Sequence, residues 1–104
     1  MSGKPSLVFL LADQLRYSSC GFACDSKART PCIDRLAAEG MSFTQAVSGH
    51  PVSAPYRASL FTGKYSSSTG MVINELRLAA DHDCLAHVLG RAGYRTAYIG
   101  KWHL

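Results

Sequence analysis

Residues 51–64 read PVSAPYRASLFTGK, and this stretch decides the fold and the site that the sequence predicts. Pro55 suits a first helical turn because the N–H that proline lacks has no helical partner there, and Gly63 can end the helix. Ser53 and Arg57 are four residues apart, so they face the same way at a helix start. A helix N-terminus favours a bound anion, and a cation in that turn opposes the helix dipole. The stretch therefore predicts a negatively charged ligand; a serine–proline cap with a surface arginine is the alternative.

The apolar run over residues 6–12, SLVFLLA, predicts a strand that is buried on both faces of a parallel sheet. Asp13 and Gln14 follow it, at the carboxyl end where open α/β sheets bind their ligands. Carboxylate and amide oxygens suit a hard cation such as Ca²⁺ or Mg²⁺. A polar turn after a strand is the alternative interpretation of this dipeptide taken alone.

Residues 94–100, YRTAYIG, predict a second parallel strand, which follows a helix over residues 84–92. Lys101 and His103 come directly after this strand. They are two residues apart, so in an extended chain they project from one side. The alternative for this pair taken alone is a solvated strand end.

Three further local patterns complete the predicted fold. Thr30 and Pro31 predict the start of a helix that Gly40 ends. Alternation over residues 41–47 predicts a short strand, and Asp83 is the predicted N-cap of the helix over residues 84–92. The predicted class is α/β, with a mostly parallel sheet flanked by helices.

Three of these segments resemble motifs of the sulfatase family, in the order in which that family has them. Residues 53–57, SAPYR, with the later TGK of residues 62–64, resemble its Cys/Ser-x-Pro-x-Arg motif. Residues 93–103 resemble its Gly-Tyr-x-Thr-x-x-x-Gly-Lys-Trp-His motif, and residues 13–16, DQLR, resemble an Asp-Gln-x-Arg variant of its Asp-Asp pair. The resemblance implies an alkaline-phosphatase-like fold, of which residues 1–104 would be the incomplete N-terminal part of a sulfatase domain.

The resemblance also implies an enzyme that hydrolyses sulfuric esters, with a small anionic sulfate ester as substrate. In the family a maturation enzyme oxidises the Cys or Ser of the first motif to formylglycine (3-oxoalanine), and the hydrated aldehyde attacks the ester. The implied catalytic residues are Ser53, Arg57, Lys101 and His103. The implied ligands of a divalent cation, Ca²⁺ with Mg²⁺ as the alternative, are Asp13, Gln14 and Ser53. Further family ligands come from a later part of the fold, so residues 1–104 alone are expected to have little or no activity.

Two other functions are compatible with the same residues. A phosphate or phosphonate ester hydrolase of the same superfamily would use Ser53 or its aldehyde. A non-catalytic module would bind an anion or a protein partner through the same crevice and would leave Ser53 unmodified. The exposed edge of an incomplete parallel sheet would also allow the chain to associate with itself.

Composition limits the kinds of ligand and the cellular location that the sequence predicts. With 104 residues, 47% hydrophobic and 17% charged, the chain is at most one small folded domain. Its net charge of +4 is scattered, without a basic patch, so nucleic acid is not the expected ligand. No apolar run is long enough for a membrane span or a usual signal core. As written, the sequence predicts a cytoplasmic protein without a membrane partner, or a periplasmic or secreted one if its native start differs.

The four cysteines form no Cys-x-x-Cys pair, so reduced thiols are predicted.

Overall fold

The computed structural model describes residues 3–23 and 27–104. Its chain divides into two compact units, Met1–Gln45 and Ala46–Leu104. The helices are α1 Pro31–Glu39, α2 Ser53–Thr62, α3 Ser66–Thr69 and α4 Leu85–Arg91, together with the 3₁₀ turns Tyr17–Ser19 and Gly21–Ala23. None of the helices in the described ranges is long and apolar enough to cross a lipid bilayer.

Helix α1 organises the first unit through a polar contact at its start. The Thr30 hydroxyl does not cap the helix; it donates to Asp34 Oδ1 at 2.7 Å and accepts the N–H of Gly21 at 2.8 Å. A Cβ at Gly21 would lie 2.5 Å from Asp34 Oδ2, so the 3₁₀ turn approaches α1 closely only because this residue is glycine. The helix ends at Gly40, as the sequence predicts.

Helix α2 forms the core of the second unit. It ends at Gly63, whose φ of 67° is the left-handed conformation that glycine adopts without strain. On its inner face Ala54 and Ala58 are fully buried, and their small side chains leave room for Met71, which is 1% exposed. The partly buried side chains that pack against this cluster are Leu78 and Leu104.

Helix α4 begins as predicted within one residue, but its cap differs from the prediction. Cys84, not Asp83, is the N-cap, and its N–H donates to His87 Nδ1 at 3.0 Å. Asp83 instead forms an exposed ion pair with Arg91, whose hydrogen bond lowers the pKa of the Asp83 carboxyl. Burial, followed by the nearby charge of Asp83, raises the pKa of the Cys84 thiol. His87 thus has a capping role at the start of α4.

The cysteines of the described residues agree with the prediction of reduced thiols. Cys20 and Cys84 are buried, Cys32 is exposed, and all three are free. The fourth, Cys24, lies outside the described residues.

The predicted parallel sheet is wrong, because no residue in 3–23 or 27–104 lies in a β-strand. The segments 6–12, 41–47 and 94–100 have no regular structure beyond a turn in the second of them. Side chains that the strand prediction would bury are exposed, with Val8 at 82% and Ile99 at 97%.

The physical reason for this error is that a strand is not a local structure. An apolar run indicates a tendency to be buried, but a strand also needs a neighbouring chain to receive its backbone hydrogen bonds. The described part of this chain supplies no such neighbour. The predicted sheet edge, through which self-association was expected, is therefore not a feature of the structure.

Candidate active site

The site in the second unit is built on the first turn of α2. Ser53 is the first residue of the helix and is half-buried, and Arg57 lies one turn later with 4% of its surface exposed. Arg57 Nε donates a hydrogen bond to Ser53 Oγ at 3.3 Å. Their spacing of four residues predicts this contact, and the structure shows it. The alternative of a surface arginine does not hold.

Arg57 also binds the C-terminal end of the chain. Its Nη1 donates to the backbone carbonyl oxygen of Lys101 at 2.6 Å and to the Tyr98 hydroxyl at 3.3 Å. A buried guanidinium is costly unless hydrogen bonds satisfy it. These acceptors, together with Ser53, therefore explain how the charge is buried, and they hold the turn over residues 98–103 against the start of α2.

His103 contacts the same Ser53 hydroxyl. Its Nδ1 lies 3.2 Å from Ser53 Oγ, although the two residues are 50 apart in the sequence. His103 has a φ of 61° and Gly100 a φ of 113°, so the chain turns sharply before and at the histidine. Ser53 Oγ thus lies within hydrogen-bond reach of a cation and of an imidazole nitrogen. That arrangement can activate an oxygen nucleophile and accept its proton.

Aromatic packing supports this turn. The ring of Trp102 stacks on that of Phe61 of α2, with 5.1 Å between centroids and 28° between planes. Tyr98 meets both rings edge-on, at 5.6 Å from Phe61 and 5.0 Å from Trp102. Lys101 and His103 lie on either side of Trp102 in the sequence and are exposed. The aromatic cluster therefore anchors the segment that carries the two predicted basic groups.

The sequence predicts that the backbone N–H groups at the start of α2 are open to an anion, but in the structure two of them are already bonded within the protein. The N–H of Ala54 donates to Asn74 Oδ1 at 2.9 Å, and that of Tyr56 donates to the carbonyl of Val52 at 3.0 Å. Pro55 has no N–H. Three positions of the first turn are therefore unable to bind an anion through their backbone. The positive charge next to Ser53 is instead that of the Arg57 side chain.

Two residues of this site carry no motif of their own. Asn74 lies in a turn, and it caps α2 by accepting the Ala54 N–H. Tyr98 falls within the predicted strand, and its hydroxyl contacts both Arg57 and the Lys101 carbonyl. The Asn74–Ala54 and Tyr98–Arg57 contacts join residues 20 and 41 positions apart along the chain, whereas the Tyr98–Lys101 contact spans three. Local spacing gives no signal for such partners.

The predicted cation ligands Asp13 and Gln14 lie in the first unit, on an exposed turn where Gln14 has a φ of 54°. Their oxygens are of the type that Ca²⁺ and Mg²⁺ prefer, so the donor chemistry fits a hard cation. Across the described ranges no three His, Cys, Asp or Glu side chains form a group that could hold a metal ion. Since Ca²⁺ takes about six to eight oxygens, these two residues would supply only part of its shell. Metal binding by Ser53 stays a prediction.

The comparisons with known proteins agree with the motifs. The family model described as Sulfatase matches residues 5–104. An ulvan-active sulfatase of Formosa agariphila is 50% identical over 101 residues, which are 97% of this chain and 20% of that protein. An N-acetylgalactosamine-6-O-sulfatase of Bacteroides thetaiotaomicron is 38% identical, covering 99% of this chain and 21% of that protein. The human steryl-sulfatase is 34% identical, covering 99% and 20%.

These matches define the class: the chain belongs to the sulfatase family. It spans about one fifth of the length of the curated relatives it matches. No solved structure matches it.

Replacing Asn74 tests the cap at the start of α2. Asn74→Ala removes the oxygen that accepts the Ala54 N–H, and we expect it to lower the free energy of unfolding by about 1 kcal/mol. Asn74→Asp is the matched control: it keeps an acceptor oxygen and places a negative charge at a helix N-terminus, so it should cost little. Urea unfolding of the three proteins measures the difference. Equal losses in both variants would show that the cap does not contribute.

Proposed function

We propose that the whole protein hydrolyses sulfate esters and that the second unit positions its nucleophile. Membership of the sulfatase family supports the reaction class. The single observation that supports the site is the position of Ser53 Oγ, 3.3 Å from Arg57 Nε and 3.2 Å from His103 Nδ1. A nucleophile candidate, a cation and a proton acceptor thus share one small volume, as sulfuryl transfer requires.

The formylglycine that the family forms at this position would supply, once hydrated, the oxygen that attacks sulfur. The chain's own residues then have defined tasks. His103 Nδ1 takes or holds a proton at the oxygen of residue 53. Arg57 Nε donates to that same oxygen and so stabilises negative charge on it. The Lys101 ammonium, on the exposed turn, binds an oxygen of the sulfate group.

Asp13 and Gln14 are the proposed protein ligands of the divalent cation, with Ca²⁺ favoured over Mg²⁺ by the family. Bound there, the cation would supply charge neutralisation. Two ligands are too few for a Ca²⁺ site. We therefore propose that residues 1–104, as the N-terminal part of a sulfatase domain, have little or no activity by themselves.

The relatives suggest substrates for the first assays. One of those compared is active on ulvan and another on N-acetylgalactosamine 6-sulfate, as their names state. We propose sulfated carbohydrates as the first substrate class, beside an aryl sulfate as a general reporter. Matched phosphate esters separate the sulfatase from the phosphate ester hydrolase that the sequence also allows.

Mass spectrometry tests the proposed maturation. Trypsin releases residues 36–57 as one peptide, because no Lys or Arg lies between Arg35 and Arg57. Oxidation of Ser53 to formylglycine removes two hydrogens, so we expect a fraction of this peptide to be lighter by about 2 Da. Fragmentation must assign the loss to Ser53; Ser42 and Ser48, in the same peptide, are internal controls. A fully unmodified peptide from the active protein would contradict a formylglycine mechanism.

Turnover of sulfate esters by the whole, matured protein tests the reaction. We expect hydrolysis of sulfate esters to exceed that of matched phosphate esters. Ser53→Ala should reduce kcat by about 10³-fold or more, since it removes the attacking oxygen. Ser59→Ala, six residues further along the same helix, is the control and should retain activity. Faster hydrolysis of the phosphate esters would identify a phosphatase instead, and activity that survives Ser53→Ala would remove Ser53 from the mechanism.

A further inference from the structure

The Tyr98 hydroxyl forms two hydrogen bonds that the proposed mechanism does not use. It donates a hydrogen bond to the backbone carbonyl of Lys101 and accepts one from Arg57 Nη1 at 3.3 Å. Arg57 Nη1 in turn donates to the same Lys101 carbonyl at 2.6 Å. The three groups form a closed set of hydrogen bonds that ties α2 to the segment leading to His103.

The turn that follows Tyr98 needs such support. Gly100 has a φ of 113° and His103 a φ of 61°, and a left-handed conformation is strained for a non-glycine residue. No helix or strand includes residues 94–104. The conformation of the segment that ends at His103 therefore depends on contacts with side chains. Two of these contacts are the hydrogen bonds that the Lys101 carbonyl accepts from Tyr98 and Arg57.

The ring and the hydroxyl of Tyr98 have separable roles. The ring contacts Phe61 and Trp102, and a phenylalanine at this position would keep both contacts. The hydroxyl alone reaches the Lys101 carbonyl and Arg57. Removing it leaves the Arg57–Lys101 bond in place, so the turn would become looser without losing its anchor.

We propose that Tyr98 is a positioning residue, whose hydroxyl fixes the Lys101 carbonyl and thereby holds His103 Nδ1 within reach of the oxygen of residue 53. The inference rests on the proposed function, because the reaction gives this placement its purpose. It assigns Tyr98 no contact with substrate. Its effect passes through Lys101 and Arg57.

The test compares Tyr98→Phe with Tyr17→Phe in the whole, matured protein. Tyr17 meets Phe22 edge-on at 5.6 Å, as Tyr98 meets Phe61, and within the described ranges its hydroxyl has no hydrogen bond. For Tyr98→Phe we expect kcat with an aryl sulfate to fall about 10- to 100-fold, because misplacement by about 1 Å costs that much, while KM and the melting temperature change little. Tyr17→Phe should match the wild type in all three.

Two kinetic outcomes would overturn the inference: an unchanged kcat in Tyr98→Phe, or an equal loss in Tyr17→Phe. A fall in kcat that merely follows a lower melting temperature would also overturn it, since it would mark a general structural role.

A second readout does not depend on turnover. With ¹³C-labelled histidine, the ring signal of His103, assigned by its loss in His103→Gln, should shift in Tyr98→Phe and stay in place in Tyr17→Phe. An unshifted His103 signal would contradict the inference even if the protein is an active sulfatase. If Tyr98→Phe shifts the signal while the wild-type protein hydrolyses no sulfate ester, the positioning is supported and only the proposed function is refuted.

Discussion

The second unit depends on one interaction, the burial of the Arg57 guanidinium. A buried cation must be met by hydrogen bonds, because otherwise its desolvation would cost several kcal/mol. Its acceptors are Ser53, one turn earlier, and the Tyr98 hydroxyl and Lys101 carbonyl, 41 and 44 residues later. Satisfying this one side chain therefore brings the start of α2 and the end of the chain together.

Apolar packing supports that contact but does not replace it. The fully buried apolar side chains around α2 are small or few, and the aromatic cluster of Phe61, Tyr98 and Trp102 is half-exposed. Packing of this kind permits the turn to approach α2 but does not fix its exact position along the helix. Directional hydrogen bonds from a planar guanidinium do fix it. The nucleophile candidate and the imidazole consequently lie within 3.2 Å of each other.

The sequence predicts features that depend on neighbouring residues better than features that depend on residues far along the chain. Helices α1 and α2 were predictable because Pro31, Pro55 and Gly63 act locally, through a missing N–H or a left-handed φ. The contact between Ser53 and Arg57 follows from helical spacing. The strands over residues 6–12 and 94–100 were predicted wrongly, since their hydrogen bonds would have needed distant partners. The predicted cap of α4 was also wrong: Cys84 is the N-cap, and the Asp83 carboxylate pairs with Arg91, eight residues later.

Within the site the same limit applies. The pairing of His103 with Ser53 could be expected only from the resemblance to a family, as no periodicity links residues 50 positions apart. The roles of Asn74 and Tyr98 left no signal in their own segments. Asn74 also explains an error: it takes an N–H that the helix start was expected to offer to an anion. The positive charge beside Ser53 is therefore that of the Arg57 side chain rather than of the helix terminus.

The most direct test of this account is an experimental structure of the whole protein, in which the surroundings of Arg57 are measured. We expect a buried guanidinium within hydrogen-bond distance of the Lys101 carbonyl and of the oxygen of residue 53, with His103 Nδ1 also within hydrogen-bond distance of that oxygen. An Arg57 side chain that points to solvent, with the Lys101 carbonyl bonded elsewhere, would contradict it.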